Sequence, residues 1–207
     1  MKRVTLRFTI AILTLVFGAS AAALWTVRHH SFNNVAQKPA DCIPKYSPTH
    51  NSKTENGWNS ILDRFDEMPL EELPVCVDES YRFIWIPSFH SPISIRIWRS
   101  GKKQFLVTKQ LDGKGGQGLG HLALEKSQSL SDDEWNEFMS LLRQSGYWDS
   151  PSIDDSPPPN DGATWVMEGV HDRKQHQVNR HSPSAEFRAA CLYLVNLSGL
   201  KTEIERY

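Results

Sequence analysis

The sequence predicts an α+β fold: a mainly antiparallel sheet with two helices packed on one face, preceded by an N-terminal transmembrane helix or signal segment. Three observations carry this. Between residues 81 and 125 the apolar residues fall into short strand-like runs, best seen as the period-two run Ile93, Ile95, Ile97, whereas after 131 they recur with the helical period. The elements run as four strands, a helix, a hairpin and a helix, without the strand–helix alternation of a parallel sheet. The first thirty residues stand apart: Lys2, Arg3 and Arg7, an apolar run from Phe8 to Val27, then Arg28, His29 and His30.

That run supports two addresses. About twenty helical residues span roughly the 30 Å of a bilayer core. Trp25 suits an interface, and the basic residues ahead of the run put the N-terminus in the cytoplasm. This single-pass anchor through residues 8–27, with the rest of the chain extracytoplasmic, is the favoured reading. The alternative is a cleaved signal peptide and a secreted or periplasmic product. Gly18 interrupts the run, and Ala19-Ser20-Ala21 and Ala21-Ala22-Ala23 both fit a cleavage site.

Three segments follow: anchor or signal peptide over 1–28, tether over 29–78, and a single extracytoplasmic domain over 79–207. Asn33, Asn34, Pro39, Pro44, Pro48 and Asn51 punctuate the tether. Within it, Trp58, Ile61, Leu62, Phe65 and Met68 recur at helical spacing, predicting a short amphipathic helix near 58–68 that docks on the domain or frays beside it, with recognition of a partner helix as the alternative. Cys42 and Cys76 flank this segment and pair in an oxidising compartment or remain two thiols. Cys191 sits in an apolar helix as a small buried hydrophobe.

Strands are expected at Tyr81–Phe89, Ile93–Trp98, Gln104–Leu111 and Leu122–Glu125. Ser100-Gly101-Lys102 marks a tight turn. The five glycines of Gly113–Gly120 lack both a following helix and a Gly-Lys-Ser/Thr ending, so they read as a hairpin loop rather than a phosphate cradle. Ser131 and Glu134 form a capping box that starts a helix, which Gly146 ends. Strands Ala163–His171 and Lys174–Ser182 are joined through Arg173-Lys174. Ser182-Pro183 opens the last helix, which Gly199 stops.

The formal charge of −1 excludes bulk nucleic-acid binding, and no cofactor is implied. Trp98 alternates away from the isoleucine face beside Arg96, so Arg96, Trp98, Arg99 and Lys103 form the expected binding surface. Its partner would be another envelope protein or an envelope component. The alternative is a hydrolase or metal-dependent enzyme on the last hairpin. There Glu168 and His181 would serve as acid–base groups, and His171 opposite His176 would offer two metal ligands. That register puts Glu168 opposite Asn179. The other tryptophans beyond the anchor lie mostly within apolar patterns, which favours core packing over a glycan platform. No nucleophile elbow or metal-ligand spacing occurs.

Overall fold

A computed structural model describes residues 57–153 and 161–207. The fold is α+β, with a six-stranded antiparallel sheet and three α-helices among the described residues. The strands are β1 (Glu79–Pro87), β2 (Ile93–Ser100), β3 (Lys103–Leu111), β4 (Leu122–Leu130), β5 (Ala163–His171) and β6 (Lys174–Arg180), in the spatial order β4-β3-β2-β1-β5-β6. The helices are α1 (Trp58–Arg64), α2 (Asp132–Gln144) and α3 (Ala185–Ser198). None of the described helices is long and apolar enough to cross a membrane; the expected anchor over 8–27 lies outside the described residues.

The alternation of side chains along each strand divides the sheet into two faces. One carries Tyr81, Phe83, Trp85, Ile93, Ile95, Ile97, Leu106, Trp165, Met167 and Val178, all essentially inaccessible to water. Onto it pack Trp135, Phe138 and Leu142 of α2 with Phe187, Ala190, Cys191 and Leu194 of α3. The Ser131–Glu134 capping box starts α2, and Gly146 in the left-handed conformation follows its end. Ser184, not Ser182, caps α3, and Gly199 terminates it. Burial pushes the Cys191 thiol well above its ordinary value, leaving it a packing group.

The opposite face is covered by α1 and the chain that follows it. Leu62 and Phe65 seal against Ile84, Leu111 and Val166. The helix stops in a Schellman turn: Asp66 takes a positive φ of 51°, Asp66 N donates to Asp63 O, and Glu67 N donates to Leu62 O. That reversal turns Glu67 inward, where only 1% of it is exposed. Met68 and Leu70 follow it into the interior. Further along, Val77 packs on Trp98, Phe105 and Val107. Cys76 is disulfide-bonded; Cys42, its expected partner, lies outside the described residues.

One register differs from expectation. The β5–β6 hairpin turns at Asp172-Arg173, both with positive φ, as a type I′ turn requires. His171 therefore pairs with Lys174 and His176 with Gly169, two residues away from the facing pair anticipated. The same shift places Glu168 opposite Gln177 rather than Asn179. The glycine stretch does form a loop between β3 and β4, but a tightly seated one. Gly116 N donates to Ser88 O at 3.1 Å, and a Cβ on Gly115 would run into the Pro87 backbone and the Ile86 side chain.

Candidate functional site

Two places gather chemistry: a buried charged row beneath the covering segment, and the end of the sheet where the loops meet. The row follows from strand register. Glu168, Arg82 and Arg96 are direct cross-strand neighbours on β5, β1 and β2, so two arginines face each other inside the protein. Like charges directly opposite are unfavourable on a sheet, more so when buried. Glu67 from the covering segment resolves this. Its carboxylate lies 3.2 Å from Arg82 Nη1, 3.4 Å from Arg96 Nε and 3.1 Å from Lys109 Nζ. Arg82 Nη1 also donates to Met68 O at 2.7 Å, and Lys109 Nζ to Asp66 O at 2.8 Å. The sheet's cations thus grip both the side chain and the backbone of the segment above them.

Burial alone would raise the Glu67 carboxyl, but the charges of Arg96, Lys109 and Arg82 outweigh it and hold the group at about 2, against an ordinary 4.5. Burial likewise pushes the Arg96 guanidinium below its ordinary value, against the pull of Glu67. Glu168 is fully committed. Arg82 Nε donates to Oε2 at 2.7 Å, Arg82 Nη2 to the same oxygen, and Trp58 Nε1 to Oε1 at 2.6 Å. A carboxylate so occupied is a structural anchor.

The four residues of the expected binding surface separate. Trp98 does point away from the isoleucine face, yet that face is covered: Trp98 is 1% exposed and stacks on Phe105, with the Arg96 guanidinium 5.2 Å from its ring. Arg96 is buried with it. Arg99 alternates to the other face, over the Trp135 ring and 2.9 Å from Glu79. Lys103 is exposed beside the β2–β3 turn. The physical reason is the covering segment: alternation is readable in the strand, but which layer comes to lie over it is not.

The histidines also part. His171 Nδ1 lies 3.1 Å from Glu79, whereas the His176 ring stacks on Trp148 and meets Tyr147 edge-on. No cluster of three or more metal-ligating side chains occurs among the described residues. His181 follows β6, four positions beyond the partner of Glu168, or roughly 13 Å along an extended strand. These two groups are not brought together.

What His181 joins instead is the loop end of the sheet. Ser88, just after β1, knots three loops: its N and Oγ donate to Gly162 O at 2.9 and 3.0 Å, and its carbonyl accepts from Gly116. The next residue, Phe89, is left half exposed. Tyr207 packs edge-on against both Trp85 and His90, and its hydroxyl is 2.9 Å from His90 Nδ1. Arg188, whose guanidinium lies 4.9 Å from the Trp165 ring, holds the Tyr207 and Ile204 carbonyls. Together these walls enclose a cleft of about 450 Å³ lined by Phe89, His90, Asp161, His181, Arg206 and Tyr207. A smaller recess of about 180 Å³ adjoins it along Gly162, Ala163 and His181, floored by Gly115 and Gly116. The cleft offers aromatic surface, imidazoles and one residue of each charge, which suits holding a ligand; no serine or cysteine lines its larger part. Sequence reasoning missed it because its walls come from four separated stretches, none with a motif of its own.

Against known proteins, the chain matches no family model and no curated protein.

Proposed function

We propose that this protein is a non-enzymatic binding module, anchored through residues 8–27 with its domain outside the cytoplasm, that takes another envelope protein or an envelope component in the loop-end cleft. The observation that carries this reading is the cleft itself. It lies within the size range of ligand sites, is walled in part by the bonded pair His90 and Tyr207, and has a half-exposed phenylalanine in its lining. The disulfide at Cys76 supports the address, since such bonds persist in oxidising compartments. The hydrolase alternative gains no support from Glu168, whose oxygens are taken up by Arg82 and Trp58.

The test uses the full-length chain in its membrane with a photo-crosslinking residue at position 89, and the same residue at the 92%-exposed Val75 as control. A discrete adduct formed from position 89 and absent from position 75 is the expected result. Equal labelling from both positions, or none from 89, overturns the cleft as the binding site.

A further inference from the structure

A second, chemically different pocket lies between the covering segment and β6, away from the loop end. It measures about 250 Å³ and is lined by Trp58, Asn59, Leu70, Glu71, Gln175 and Gln177, with Glu168 at its floor. No lysine or arginine lines it, and His176 reaches it from a strand position whose ring stacks on Trp148. Two carboxylates without a lining cation disfavour an anionic ligand. The Glu168 charge is already met by Arg82, and the remaining carboxylate, Glu71, is exposed to solvent, so a cation would meet only one screened surface charge.

What remains is the amides. Asn59 and Gln175, both exposed, and the half-buried Gln177 make no side-chain hydrogen bond among the described residues, and each amide pairs a donor with an acceptor. A row of hydroxyls on adjacent carbons, each of which donates and accepts, is the complementary ligand. Trp58, half-buried, adds a flat apolar surface against which the C–H face of a pyranose would lie. That surface is fixed in advance, because Trp58 Nε1 is bound to Glu168 and Glu168 to Arg82. The volume falls below the usual range for drug-sized ligands and holds one ring. We infer that this pocket is a subsite for a single neutral sugar ring, distinct from the loop-end cleft.

The experiment is saturation-transfer NMR on the full-length chain in a detergent without a sugar headgroup. It uses methyl glycosides of neutral hexoses and N-acetylhexosamines, the free sugars, and a uronic acid. Transfer from a neutral sugar is expected. The Gln175→Ala/Gln177→Ala variant should weaken it at least tenfold with an unchanged melting curve, and Phe89→Ala should leave it intact. Binding of the methyl glycosides assigns the ring to a linked glycan; binding of the free sugars alone assigns it to a soluble saccharide. No transfer from any neutral sugar to the folded wild type, unchanged transfer in the double variant, or preference for the uronic acid overturns the inference.

Discussion

On the face covered by α2 and α3, the central strands present Tyr81, Phe83, Trp85 and Ile95; on the face covered by α1 and its sequel, the same strands present Arg82, Ile84, Ser94 and Arg96. Both faces are dry, but they reach that state differently. The helical face excludes water by area alone, and each large side chain gains roughly 1.5–3 kcal/mol by burial whatever its exact neighbour. The charged face is tied to particular partners. Its arginines are tolerable because Glu168 within the sheet pairs with Arg82 and a second carboxylate, Glu67 from outside the sheet, lies within ion-pair reach of Arg82, Arg96 and Lys109. The contrast separates adhesion from addressing: the apolar side makes the domain stable, and the charged side dictates which segment covers it.

The comparison is open to attack from both sides. Phe83→Ala, in the fully buried apolar face, should cost ~3–5 kcal/mol in a denaturant titration. No second substitution of a charged residue should restore it. Glu67→Gln should cost ~3 kcal/mol, because it leaves Arg82, Arg96 and Lys109 crowded without their shared counter-charge. Here a second change does help: adding Arg96→Met should recover most of the loss, and a strictly additive double variant would show that the pair does not act as a unit.

Acid sharpens the same point. The Glu67 carboxyl is depressed in the folded protein, so its contribution is complete above the ordinary 4.5 and disappears as pH falls toward about 2. Stability measured downward through that window should decline in the wild type, and less steeply in Glu67→Gln. Equal slopes would remove Glu67 from the explanation. On the helical side, Ser131→Ala breaks the capping box of α2 and should lower stability by ~1 kcal/mol, with no added sensitivity to acid. The smallest effect belongs to the β5–β6 turn. Arg173 holds a φ of 61° that glycine adopts freely, so Arg173→Gly should be neutral to ~0.5–1 kcal/mol stabilising by thermal melting.

The apolar face was largely legible in the sequence. Alternating isoleucines located β2, Ser131 and Glu134 marked the start of α2, and Gly146 and Gly199 marked helix ends. Local chemistry specifies those features, so local sequence reveals them. The charged face was not legible, because the sequence marks a short amphipathic helix near 58–68 but not which face of the sheet the segment covers. Arg96 and Trp98 read as outward-facing, and so they are with respect to the isoleucines; only Glu67 and Val77, brought over them by the Schellman turn at Asp66, make that direction an interior one. The hairpin register failed for a different reason. Asp172-Arg173 occupies two left-handed positions that are usually marked by Asn-Gly or Asp-Gly, so nothing in the dipeptide announced the turn. The loop-end cleft was invisible for want of any motif, its walls being joined through backbone bonds at Ser88.

The network beneath α1 also imposes an order on folding. Trp58 and Glu168 are bonded across 110 residues, and Arg82 and Glu168 across 86. During synthesis the N-terminal part emerges first, so Trp58, Glu67 and Arg82 are all available long before β5 exists. Until then the arginine row lacks one of its two carboxylates and the cover lacks the strand that Val166 and Glu168 supply. The first third of the domain must therefore wait for the last third, a long-range closure of the kind that slows folding. In that interval the nascent chain depends on whatever else shields its unpaired strand edges.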